Sequence, residues 1–162
     1  MVDRFSLYLI KPTHYDDDGY VIQWFRSAIP SNTLAVMHGL SEDCLNRRVL
    51  GADVEIEIAV IDETNTRVRP ERIADQIAAE GGRGLVCLVG VQSNQFPHAV
   101  DLARRFRARG VQVAIGGFHV SGCLAMLPQM PDDLVEAQSL GVSLFAGEAE
   151  GRLDAVLQDA FA

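Results

Sequence analysis

The run GLVCLVGV, residues 84–91, holds no polar side chain, and this feature restricts the fold more than any other. A strand with one wet face alternates apolar and polar residues, whereas a strand without a polar face is covered on both sides. Helices packed on the two faces of a parallel sheet supply that cover. FSLYLIK, residues 5–11, is a second apolar run, stopped by Pro12, and reads as a buried strand. VQVAIGG from Val111 and VSLFAGE from Val142 read as two more. VEIEIAVID, residues 54–62, alternates apolar and acidic residues at its start, as an edge strand with one wet face does.

Between these runs the apolar period lengthens to that of a helix. After Pro30, Ser31 or Asn32 is placed to cap a helix in which Leu34, Met37, Leu40 and Cys44 or Leu45 recur at helical spacing. Pro70 suits the first position of a helix that runs through Ile73 and Ile77 to Gly81. A third helix, from Gln95 to Arg109, buries Phe96, Ala99, Leu102, Ala103 and Phe106. Arg104, Arg105, Arg107 and Arg109 sit near its negative end, and Gly110 lies beyond it. Short helical segments over residues 120–127 and after Pro131, and a last helix over residues 150–161, complete the alternation. With no repeat, low-complexity tract or linker, residues 1–162 are expected to form one α/β domain. The expected architecture is a flavodoxin-like, Rossmann-like three-layer sandwich with a five-stranded, mainly parallel sheet in the order 2-1-3-4-5.

Charge narrows the partners. A formal net charge of −8 repels nucleic acid and anionic membrane surfaces, so neither is an expected partner. No apolar run approaches the ~18 residues of a membrane span, and no basic-then-apolar leader opens the sequence. Cys44, Cys87 and Cys123 are odd in number and too far apart for a short zinc or redox motif. A reduced, cytoplasmic setting is the expectation.

In an open parallel sheet, ligands bind beyond the carboxyl ends of the strands, at the switch in strand order. The loops at that end are residues 13–19, 63–69, 92–95, 116–119 and 147–150. The first of them, within KPTHYDDDG after the first strand, lacks the glycines that a dinucleotide pyrophosphate needs, and its three aspartates would repel that group. DDDG also fails as a calcium loop, because the ligands do not alternate and the distal glutamate is missing; Asp16, Asp17 and Asp18 read as a solvated loop. No phosphate-cradling Walker loop occurs, and the third strand ends in Gln92-Ser93 without a phosphoacceptor aspartate. What the other loops share is small or neutral hydrogen-bonding residues: Gln92, Ser93, Asn94, Gly116, Gly117, Gly147 and Ala149. Such loops suit a large, flat, polar-edged ligand better than a small anion. Two adjacent glycines at a strand end indicate a left-handed turn, a bulky ligand against the backbone, or both.

These segments carry a family likeness. LIKPTHYDDDGY at the first strand, the glycine pair continuing as GGFHVSG, and LFAGEAEG before the last helix resemble the amino-terminal cobalamin-binding domain of radical S-adenosylmethionine proteins, over essentially the whole chain. The resemblance implies a cobalamin held over the carboxyl edge of the sheet, its nucleotide tail in a groove beside the third and fourth strands. Ser93 takes the place of the serine in the family's S-x-L element, which here reads Ser93-Asn94-Gln95, and Gly116 and Gly117 match the pair beside the tail's base. Thr13, His14, Gln92, Asn94, Phe118, His119, Gly147 and Glu148 complete the implied cofactor-binding set. Two departures stand out: Gln95 replaces the leucine, and the D-x-H-x-x-G element whose histidine ligates cobalt is absent. The neighbours of His14 do not fit that element, so cobalamin is expected to bind without a protein histidine ligand.

The family's 4Fe-4S cluster sits on a C-x3-C-x2-C triplet, a spacing that Cys44, Cys87 and Cys123 do not form. The cluster, S-adenosylmethionine and the radical chemistry are therefore expected in a catalytic domain outside this chain, which is the expected protein partner. No turnover is expected from this chain alone. The implied function is that of a cobalamin-binding module for methyl transfer or a related radical reaction. The alternative is a domain of the same family that binds no corrin and serves by contact.

Several single residues admit two readings. His119 either donates to a ligand or caps local backbone. His38 and His98 read as surface or boundary residues, and His14 as solvated. Glu148 and Glu150 could form an acid–base pair, but more simply complement the dipole at the start of the last helix. Trp24 and Phe25 read either as core or as an apolar face for another domain. Cys87, within a buried strand, reads as packing.

Overall fold

A computed structural model describes residues 2–25 and 30–162. These form five strands and six helices in the order β1 (Asp3–Lys11), α1 (Asn32–Asn46), β2 (Val54–Asp62), α2 (Pro70–Ala79), β3 (Gly84–Leu88), α3 (Phe96–Ala108), β4 (Gln112–Gly116), α4 (Phe118–Met126), α5 (Asp132–Ser139), β5 (Ser143–Phe145) and α6 (Leu153–Phe161). The sheet is ordered β2-β1-β3-β4-β5, and every neighbouring pair is parallel. This is the flavodoxin-like three-layer arrangement that the alternating pattern predicts.

The apolar strands explain the layers. β1 buries six consecutive residues, Phe5 to Ile10, and alternate side chains go to opposite faces. Tyr8, Ile10, Val86, Leu88, Val113 and Ile115 meet α2, α3 and α5 through Ile73, Ile77, Phe96, Phe106 and Leu134. Phe5, Leu7, Leu9, Leu85, Cys87 and Ala114 meet α1 and α6 through Leu34, Cys44, Leu153 and Leu157. Full burial of each large apolar side chain is worth ~1.5–3 kcal/mol, so the two cores dominate the stability. β2 is an edge strand, as its acidic alternation requires; its Glu55 and Glu57 lie 3.8 and 3.7 Å from Arg4.

Helix ends follow the punctuation of the sequence. Ser31 Oγ accepts from the Leu34 amide at 3.2 Å and caps α1, and Pro70 opens α2. α3 is bounded by Gln95 and Arg109, with Gly110 at φ 76° turning the chain away. Two starts differ from the sequence expectation. α4 begins at Phe118, which puts His119 in its first turn. α6 begins at Leu153, not at residue 150, because Gly147 (φ 87°) and Gly151 (φ 70°) hold the intervening residues in turns. Its first-turn acid is therefore Asp154, and Glu148 and Glu150 do not sit at the helix start.

His98 corrects a second expectation. It is buried in α3, with Nε2 at 2.9 Å from both carboxylate oxygens of buried Glu63. Glu63 also accepts from the Thr13 amide at 3.0 Å, so this pair ties the loop after β1 to α3. Trp24 and Phe25 are at the surface, 64% and 96% exposed, and are not core. No helix among the described residues is long and apolar enough to cross a membrane.

Candidate functional site

On the α1/α6 face the side chains shrink toward the carboxyl ends of β3 and β4. Cys87 of β3 and Ala114 of β4 are partners in register, and Gly116 follows two residues on. Where β1 presents Phe5, Leu7 and Leu9 to the same face, these small residues leave a hollow that the helices span without filling. The result is a cavity of about 580 Å³, within the ~300–1,000 Å³ range of small-molecule sites. The sheet contributes Cys87, Leu88, Ala114 and Gly116, and the loop after β3 contributes Val89; α1 contributes Asn32, Thr33, Val36 and Met37; α6 contributes Leu153 and Val156. Burial pushes the Cys87 thiol up to about 12, so at neutral pH it is an uncharged, apolar part of the floor. The charged residues of the lining are Glu148 and Glu150, both in the turns before α6. Phe145 closes one side, with the Arg152 guanidinium 4.5 Å over its ring.

The two glycines of GGFHVSG have different causes. Gly117 has φ 143°, and a Cβ there would lie 2.2 Å from the Val91 nitrogen and 2.7 Å from the Val91 oxygen. The loop after β3 crosses it: the Val91 amide donates to the Gly116 carbonyl, and the His119 amide donates to the Val91 carbonyl, both at 3.1 Å. Gly117 is bare because backbone occupies the space a side chain needs. Gly116 is not so constrained. A Cβ there would meet Phe145 Cβ at 3.4 Å, an ordinary contact, and the residue lines the cavity.

The residues singled out in the sequence divide into three groups. Gln92, Gly116, Gly117, Phe118, Gly147 and Glu148 line the cavity. Ser121 joins them, its Oγ accepting from the Gly147 amide at 3.0 Å and fastening α4 to the loop before α6. Ser93 and His119 do not line it; they face each other, Ser93 Oγ at 3.0 Å from His119 Nδ1, while His119 Nε2 lies 2.7 Å from Asp133 Oδ2. Among the described residues His119 thus meets side chains and caps no backbone. Asn94 is exposed in the same loop. Thr13 and His14 belong to the loop after β1, away from the lining, where Thr13 is buried against Glu63 and the His14 carbonyl accepts from the Ile22 amide.

Sequence reasoning missed Met37, Leu153 and Val156 because an apolar helix position reads as core, and Val36, half exposed, because it lies outside the apolar repeat of α1. The one available signal was smallness: Cys87 and Ala114 side by side in adjacent strands. Among the described residues no histidine lines the cavity, and no group of three or more His, Cys, Asp or Glu side chains could hold a metal ion. No protein-family model matches the chain, and no curated protein matches it.

Proposed function

We propose that the chain is a cobalamin-binding module whose cavity takes the nucleotide tail of the corrin. One observation carries the reading: a hollow of about 580 Å³ runs beside β3 and β4, floored by Cys87, Ala114 and Gly116 at the carboxyl edge of the sheet. The residues fit the group. A flat heteroaromatic base packs well on small apolar side chains between two helices. Val36, Met37, Leu153 and Val156 would flank the base. Asn32 and Gln92, whose side-chain amides make no hydrogen bond among the described residues, would meet polar edges.

When bound, the corrin supplies a methyl carrier or radical partner for a catalytic domain outside this chain. The protein's own part is to shape the slot, exclude water from the tail and present the rim formed by Gln92, Phe118 and Gly147. The test is gel filtration after mixing with hydroxocobalamin. Corrin absorbance travelling with the protein at one per chain supports the reading, and corrin eluting free overturns it.

A second reading has its own support. Gly117, Ser93 and His119 are each accounted for by contacts within the protein. A domain of the same fold that binds no corrin, and serves a partner through exposed Tyr20, Trp24 and Phe25, explains these facts without a ligand. The same gel filtration separates the two.

A further inference from the structure

On the opposite side of the sheet from the cavity's helices, three side chains from three segments form one hydrogen-bonded row. Ser93 stands in the loop after β3, His119 in the first turn of α4 and Asp133 in the first turn of α5. Ser93 Oγ lies 3.0 Å from His119 Nδ1, and Asp133 Oδ2 lies 2.7 Å from His119 Nε2. A carboxylate at Nε2 selects the tautomer with its proton there, which leaves Nδ1 as the acceptor for the Ser93 hydroxyl. The Phe96 ring packs 4.5 Å from the imidazole and holds its plane, so that His119 is only 13% exposed while Ser93 is open to solvent.

Against the expectation of no turnover from this chain alone, we infer that Ser93 is an activated nucleophile, with His119 as its general base and Asp133 as a positioning residue, and that the row hydrolyses small neutral carboxylic esters. Nucleophile, base and orienting carboxylate are all within hydrogen-bond reach in series, the arrangement that defines this chemistry whatever the fold or chain order. The amides of Ser93 and Asn94, just before α3, donate to no acceptor among the described residues and are open donors for an oxyanion. A net charge of −8 disfavours anionic esters. Ser93 is exposed at the surface, so an ester carbonyl reaches its hydroxyl directly.

The steps balance with water as the only co-reactant. Ser93 Oγ adds to the ester carbonyl carbon as its proton passes to His119 Nδ1, and the carbonyl π pair moves onto oxygen. That pair returns, the bond from carbon to the alcohol oxygen breaks, and the alcohol leaves with the proton from Nδ1. Water then adds to the acyl-Ser93 carbonyl with its proton going to Nδ1, and collapse releases the acid and restores the Ser93 hydroxyl.

The experiment is labelling of the full chain by a small fluorophosphonate, with the site found by peptide mass spectrometry. It needs no corrin and so stands apart from the test of the cavity. The expected result is one label per chain, on Ser93, slowed about 100-fold in His119→Gln. Asp133→Asn should lower the maximal labelling rate about tenfold without moving the half-saturating probe concentration, with partial rescue by Asp133→Glu. Ser139→Ala should label like the wild type. Circular dichroism checks each fold, and Asp133, at a partly exposed position, provides the decisive variant if His119→Gln does not fold. A folded wild type that takes no label on Ser93, or equal rates in the wild type and Asp133→Asn, overturns the inference.

Discussion

Gly117 lies against the backbone of Val91 so closely that a single added methyl group would sit 2.2 Å from the Val91 nitrogen. The consequence is a sharp contrast between two adjacent residues. Gly117→Ala should destabilise the fold by about 3 kcal/mol or more, since backbone on both sides must move and φ is positive. Gly116→Ala should change stability by less than about 1 kcal/mol, because its Cβ finds only an ordinary contact. Urea denaturation of the two variants measures the difference directly.

The buried pair of Glu63 and His98 gives a second expectation. Glu63→Leu leaves His98 without its carboxylate and the Thr13 amide without its acceptor. Breaking one side of a buried pair costs about 3–5 kcal/mol, whereas replacing both sides by apolar groups costs less. The double variant Glu63→Leu/His98→Leu should therefore be more stable than the sum of the two single losses implies. A double-mutant cycle by denaturant titration gives the coupling energy.

Acid should loosen the exposed ion pairs in a defined window. The Arg105 guanidinium holds the Glu71 carboxyl down to about 2, and Arg47, with the Cys44 thiol, holds Asp154 down to about 2. A carboxyl lowered in the folded state adds stability that is fully present above its ordinary value near 4 and is lost as pH falls through the folded value. The thermal midpoint should therefore drop between about pH 4.5 and 2. Both groups are solvent-exposed, so the loss should be small and should shrink in high salt. Glu71→Gln should flatten that part of the profile.

Thiol chemistry should single out Cys123. Burial, the hydrogen bond to Asp154 and its charge raise Cys44 to about 11, and burial raises Cys87 to about 12. Both stay protonated and shielded at neutral pH, while Cys123 is partly exposed. Alkylation at pH 7.5 should modify Cys123 first and the other two only on unfolding. Early modification of Cys87 would show that the cavity floor is open to solvent.

The parts of the fold that the sequence revealed are those set by local pattern. GLVCLVGV had to be covered on both faces, and VEIEIAVID had to lie at an edge. The parts that stayed hidden depend on pairs distant in sequence. His98 looked like a boundary residue because its partner Glu63 is on another segment, and helical periodicity does not reveal a buried hydrogen-bonded pair. Gly117 carried the same signal whether ligand or backbone occupies the space beside it; only the crossing of residues 90 and 91 decides. Glu148 and Glu150 imitated a first helical turn, but Gly147 and Gly151 bend the chain before α6 can start. The hollow itself is a property of register, Cys87 beside Ala114, that neither residue shows alone.

The central claim is tested most directly by titrating hydroxocobalamin into the wild type and into Gly116→Leu, following the visible spectrum. Gly116 lines the cavity and has room for a Cβ, so a leucine there fills the slot while the Gly117 crossing is left intact. The account predicts saturable binding at one corrin per chain in the wild type. It also predicts an affinity at least about tenfold weaker, or ~1.4 kcal/mol, in a Gly116→Leu variant of native circular dichroism. Equal affinity in the two proteins, or no saturable binding to the wild type, would contradict it.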